Sequence, residues 1–114
     1  MSPRQDSPRL LLEAIAEKDF MQQIIDLASL RGWHHYHTHD SRRSAEGFPD
    51  LVLARPSTLQ GGFDGRIIFA EMKAQKGRPN VEQRAWLTLL ADTGKVEVYV
   101  WRPSDWQRIV EVLT

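Results

Sequence analysis

The run Ile67-Ile68-Phe69-Ala70-Glu71-Met72-Lys73 limits what this chain can fold into more than any other stretch. Its β-branched and aromatic residues make it a strand, and the side chains of a strand alternate between the two faces of its sheet. Ile68, Ala70 and Met72 then share one face, while Glu71 and Lys73 share the other. Placing a carboxylate and an ammonium among residues that belong in a core costs desolvation of both ions, a cost that function can justify. Upstream, Asp50-Leu51-Val52-Leu53-Ala54 reads as a second short strand. The intervening Gly61-Gly62-Phe63-Asp64-Gly65 turn can fold one strand back beside the other. Asp50 and Glu71 then converge, with Lys73 between them.

A chain of 114 residues holds one core. The expected organisation is a flexible tail over residues 1–9 and a single domain over residues 10–114. There is no cysteine, so disulfides and thiolate metal sites are ruled out and any metal must be held by oxygen or imidazole. Hard cations such as Mg²⁺ or Mn²⁺ suit carboxylates best. No apolar run reaches the length of a membrane span, and Leu10-Leu11-Leu12 is too short for the core of a signal peptide. A cytoplasmic protein is expected. The 15 Lys and Arg balance the 15 Asp and Glu, which argues against broad wrapping of nucleic acid and leaves room for a local basic patch. Acids spent on metals also cancel bases in that sum, although bound metals restore positive charge at the site.

Leu10 to Arg31 keeps a helical pattern with a break near Glu17, and Gly32 supplies a stop. Phe20, Ile24, Leu27 and Ala28 form its apolar stripe, on which Glu17 also falls. Glu17 either complements the helix dipole or serves a metal site. Trp33 to Thr38 reads as a strand and His39 to Glu46 as a polar loop. The histidines raise the question of zinc, but His35, His37 and His39 alternate along an extended segment without a cysteine or a helical pair, a surface or cross-strand pattern. Within the loop, Arg42 and Arg43 flanked by Ser41 and Ser44 are either a solvated face or a phosphate grip. Ala74 to Pro79 is a basic turn, after which Asn80 opens a helix running to Thr93. Asn80 and Gln83 have the spacing of a capping box, and Trp86, Leu87 and Leu90 form the buried stripe. Lys76, Arg78 and Arg84 offer a second patch for a nucleic-acid backbone. Val96 to Trp101 reads as a central strand. Ser104 with Gln107 resembles another capping box, starting a short helix that buries Trp106, Ile109, Val110 and Leu113. The four tryptophans read mainly as core.

Pro49-Asp50 followed by Glu71-Met72-Lys73 resembles the core of PD-(D/E)xK nucleases. The surroundings resemble its VRR-NUC branch, of the standalone phage or bacterial type: Gly47 to Leu53, Phe69 to Lys73, Gln83 with Trp86 and Leu87, Gly94, and Val98 to Pro103. The resemblance covers most of the chain from Glu17 to Trp106. It implies an α/β, restriction-endonuclease-like core in the order αβββαβ plus a C-terminal helix, with a mixed sheet of about four strands. It further implies a Mg²⁺- or Mn²⁺-dependent endonuclease acting on DNA as a homodimer, structure-specific for Holliday junctions or other branched forms. Asp50 would be the central metal ligand, Glu71 the second and the Met72 carbonyl a third, with Glu17 available to another ion. Lys73 would hold and polarise the attacking water or offset developing negative charge. By the same resemblance the matching glutamine, Gln83, would face the active site as a catalytic residue, the alternative to its being only a helix cap. His37 is a candidate neighbour of the scissile phosphate. Arg42, Arg43, Lys76 and Arg78 lie in the loops that enter and leave this core, placed to grip DNA on two sides. Two other readings remain: a DNA-binding module on this fold without turnover, and a small ligand-binding domain in which Asp50 and Lys73 are only a buried ion pair.

Overall fold

In the computed structural model, which describes residues 8–38 and 45–114, the β-forming runs assemble into a four-stranded sheet. The tail up to residue 7 and the loop segment 39–44, with His39, Arg42 and Arg43, lie outside the described residues. The strands are β1 (His34–His37), β2 (Leu51–Arg55), β3 (Arg66–Met72) and β4 (Glu97–Trp101), side by side in sequence order. The first three are antiparallel neighbours, and β4 runs parallel to β3. A parallel step needs a crossover, and helix α3 (Val81–Asp92) supplies it. Helices α1 (Pro8–Ala14) and α2 (Glu17–Leu30) precede the sheet, with the helical pattern interrupted just before Glu17. A 3-10 turn (Pro103–Asp105) leads into α4 (Trp106–Val112).

One face of the sheet carries the main core. Leu51, Leu53, Ile68, Ala70, Met72 and Trp101 pack against Phe20, Ile24, Ile25 and Ala28 of α2 and against Ile109 and Leu113. Each large side chain buried there contributes about 1.5–3 kcal/mol relative to exposure. On the opposite face, the Phe48 ring stands edge-on to Trp86 at 5.0 Å and to Phe69 at 5.9 Å, seating α3 over β3.

The end of the sheet nearest Arg55 and Arg66 is built for stability. The Trp33 indole N–H donates to the Leu113 carbonyl at 3.1 Å, and the Arg55 and Arg66 guanidinium groups lie 4.6 and 5.0 Å from its ring. Arg31 and Arg66 donate to the carbonyls of Val110 and Val112 at 2.6 and 2.8 Å. Arg55 donates to the carbonyls of Leu113 and Thr114 at 3.4 and 3.2 Å, so three cations serve the carbonyls at the C-terminal end of α4 and complement its dipole.

Two expectations need correction. β4 is an edge strand rather than a central one; the layers above and below it, α3 and the main core, cover its apolar run. The capping box at Ser104 and Gln107 does not form. Asp105 accepts the Arg102 N–H at 2.9 Å instead, while the N–H and hydroxyl of Ser104 are engaged by the Gln75 amide at 3.0 and 2.9 Å. Among the described residues, no helix is long and apolar enough to cross a membrane.

Candidate active site

The register of β2 and β3 pairs Leu51 with Ala70, so one residue further out Asp50 meets the Glu71 end of β3. Its carboxylate Oδ2 accepts the backbone N–H of Met72 at 3.0 Å. Glu71 is 1% exposed, an extreme burial for a charged side chain. Its Oε2 accepts from Gln83 Nε2 at 2.7 Å and faces Lys73 Nζ at 3.5 Å. Its Oε1 is buried and receives no hydrogen bond from a protein N–H or O–H donor, and the Asp50 and Glu71 carboxyl groups lie close enough to share a proton. Burial raises the Asp50 carboxyl above its ordinary range, partly offset by the Met72 N–H. Glu71 is pushed up to about 8, first by burial and then by the negative charge of Asp50, with Lys73 pulling the other way.

Two carboxylates pressed together against their repulsion, one with an orphaned oxygen, are a donor set that a hard divalent cation fits. An ion there would remove the repulsion and satisfy the buried atom. Among the described residues, no three carboxylate or imidazole side chains gather into a cage. A pair of carboxylates with the Met72 carbonyl and water is the kind of set that Mg²⁺ takes, since it keeps several waters and uses one or two carboxylates.

Glu17 flanks this pair. It opens α2, its Oε1 accepts the Ala74 N–H at 3.2 Å, and its charge adds to the upward push on Asp50. Gln83 caps the helix and contacts Glu71 at the same time. Its backbone N–H donates to Asn80 Oδ1 and its Oε1 accepts the Asn80 N–H, both at 2.8 Å, closing the capping box while Nε2 reaches Glu71. β1 ends beside Asp50, whose carbonyl accepts the Thr38 N–H at 3.2 Å. The rings of His35 and His37 lie parallel at 6.1 Å, and among the described residues no imidazole cluster supports a zinc site.

Beyond Lys73, the basic turn lines a pocket of about 660 Å³ with Lys76 and Arg78, joined by Arg84 and Arg102. Arg102 has a role that the sequence did not signal. Its Nε and a terminal nitrogen donate to the Gly77 carbonyl at 3.1 and 2.9 Å, fixing the turn. Arg84 holds the Pro79 carbonyl at 2.7 Å, and Lys76 pairs with Glu13 at 3.5 Å. On the other side of the site, Gly47 has φ +82°, and a Cβ there would stand 2.5 Å from the Glu82 carbonyl carbon and 2.7 Å from Gln83 N. Only glycine lets this loop touch the first turn of α3, which sets Asp50 relative to Gln83.

The family model of the VRR-NUC domain matches residues 4–104. The chain belongs to the VRR-NUC family. Membership makes this a nuclease domain. A Fanconi-associated nuclease 1 homolog of Arabidopsis thaliana is 39% identical over 67 residues, covering 58% of this VRR-NUC chain and 7% of that protein. Another, from Caenorhabditis elegans, is 40% identical over 53 residues, covering 46% of this chain and 5% of the relative. The chain therefore spans only a small fraction of the length of these relatives. No solved structure gives a significant match.

Proposed function

We propose that this VRR-NUC domain is a Mg²⁺- or Mn²⁺-dependent endonuclease that hydrolyses phosphodiester bonds of DNA, with branched DNA as its substrate and a homodimer as its working form. The observation that carries the metal reading is the Asp50–Glu71 pair with the unpartnered Glu71 Oε1. Asp50, Glu71 and the Met72 carbonyl would hold the ion, and Glu17 stands where it could serve another. The chemistry a bound divalent cation supplies is charge neutralisation at the phosphoryl oxygens and increased acidity of a water molecule.

The chain's own residues account for the rest. The Met72 N–H fixes Asp50, while Gln83 and Lys73 both engage Glu71 Oε2. The Lys73 ammonium, with its side chain 14% exposed, orients the attacking water and offsets the negative charge that grows in the transition state. Lys76 and Arg78, with Arg84 and Arg102 beside them, form the DNA contact on the exit side of the core; Arg42 and Arg43, which lie outside the described residues, are assigned a phosphate contact from the sequence alone. The test is incubation of labelled junction, flap, nicked and duplex DNAs in Mg²⁺, Mn²⁺ or EDTA, with Asp50→Ala as control. Cleavage of branched forms that needs both the ion and Asp50 is expected. Equal cleavage of all forms removes the structure specificity, and cleavage in EDTA removes the metal.

A further inference from the structure

Gln83 offers one acceptor and two donors on its amide, and the neighbourhood decides which of these the site receives. Its Oε1 is taken by the backbone N–H of Asn80 at 2.8 Å. Only the NH₂ end is left to face Glu71, where it donates to Oε2 at 2.7 Å. The Asn80 side chain in turn accepts the Gln83 N–H at 2.8 Å, so the helix cap holds both the backbone and the amide of Gln83. The Gly47 loop, packed against Glu82 and Gln83, holds the same turn from outside. A glutamate at position 83 would close a capping box equally well. It would also set a third carboxylate against Glu71, at odds with the pair already strained there.

We propose that Asn80, an exposed residue whose contacts look purely structural, is a positioning residue for the metal centre. Its side chain fixes the turn that carries Gln83 and its backbone N–H occupies Gln83 Oε1, so the two contacts together hold the amide in the donor orientation, Gln83 fixes Glu71 Oε2, and Glu71 Oε1 is thereby the oxygen presented beside Asp50. This rests on the metal-binding reading of the Asp50–Glu71 pair.

The test is the Mn²⁺ dissociation constant measured by titration calorimetry, together with the melting temperature of each metal-free variant. Asn80→Gly keeps the backbone N–H that occupies Gln83 Oε1 but removes the side-chain acceptor that fixes the turn carrying Gln83; glycine is a tolerated N-cap, so the variant keeps its fold. Residues that orient metal ligands typically change affinity by about 10- to 100-fold when replaced. Gln83→Met should weaken Mn²⁺ binding by about tenfold or more, and Asn80→Gly by several-fold to about tenfold. Asn80→Ser, another good cap, should restore the wild-type value. Asn80→Gly added to Gln83→Met should weaken binding no further, because the clamp then has nothing to hold. Unchanged binding in Asn80→Gly, or equal weakening in both backgrounds, overturns the inference and leaves the metal site standing. A wild-type protein that binds no Mn²⁺ overturns the metal reading itself, and the inference with it.

Discussion

The carboxylate of Asp50 accepts the backbone N–H of Met72 at 3.0 Å, so the group that repels Glu71 is tied to the strand that carries Glu71. The repulsion persists because hydrogen bonds along the strand set the distance between the two acids. The two ends of the sheet differ accordingly. Around Trp33, Arg31, Arg55 and Arg66, cations meet helix carbonyls and an aromatic face. Around Glu71, two acidic groups meet in a buried place where Glu71 gives up its proton only at about pH 8.

The metal-free protein should therefore lose stability as pH rises. Glu71 has a folded-state value of about 8 against an ordinary 4.5, so the folded state holds a proton that the unfolded chain has released. Its stabilising contribution is fully present below about pH 4.5 and is lost as pH climbs through about 8. Asp50, raised as well, adds in the same sense. Urea denaturation in EDTA should show a midpoint that falls across this window for wild type and stays flatter for Glu71→Gln. Near pH 8, Mg²⁺ should raise the wild-type midpoint and leave Glu71→Gln unmoved, since the ion binds only the folded site. A wild-type midpoint that rises with pH contradicts this.

Gly47 and Gly94 form a matched pair for the packing claim. Both have positive φ, +82° and +66°, but a Cβ at Gly94 meets nothing within 4 Å whereas one at Gly47 collides with the backbone of α3. Gly94→Ala should cost only the left-handed backbone penalty of about 1–2 kcal/mol. Gly47→Ala should cost more than that in thermal denaturation and should also weaken Mn²⁺ binding, because the loop carries Asp50. Equal losses in the two variants would show that the close approach of the loop to α3 does not matter.

Much of this was legible in the sequence, for physical reasons. The alternation through Ile68, Ala70 and Met72 determined the buried face of β3, and the glycine turn brought β2 antiparallel to it. The position of β4 was not legible, because a strand covered by layers on both faces has the same composition as one with two strand neighbours. Nor was the clamp of Arg102 on Gly77, which spans 25 residues of sequence and follows no local period. The two readings of Gln83 could not be separated because the side chain makes both contacts: its oxygen caps the helix and its nitrogen reaches Glu71.

Lys76 and Arg78 should act on binding rather than on chemistry. They line the pocket beyond Lys73 and touch neither Asp50 nor Glu71. Lys76→Ala combined with Arg78→Ala should raise the dissociation constant for DNA in Ca²⁺, used as a non-catalytic ion, and lower the salt slope by about one unit per lost phosphate contact. Preference among base sequences should not change. Wild-type affinity and salt slope in the double variant would make this turn an ordinary solvated face.

The most direct measurement is cleavage of labelled branched DNA by wild type, Asp50→Ala, Glu71→Ala and Lys73→Ala, each with Mg²⁺, with Mn²⁺ and with EDTA. Wild type should cut in either ion and stop in EDTA. Each variant should melt as a folded protein while losing most of its activity, on the order of 10²-fold or more, as expected for groups that meet charge in the transition state. Cleavage by wild type that persists in EDTA, or by Glu71→Ala at the wild-type rate, would contradict a metal centre built on Asp50 and Glu71.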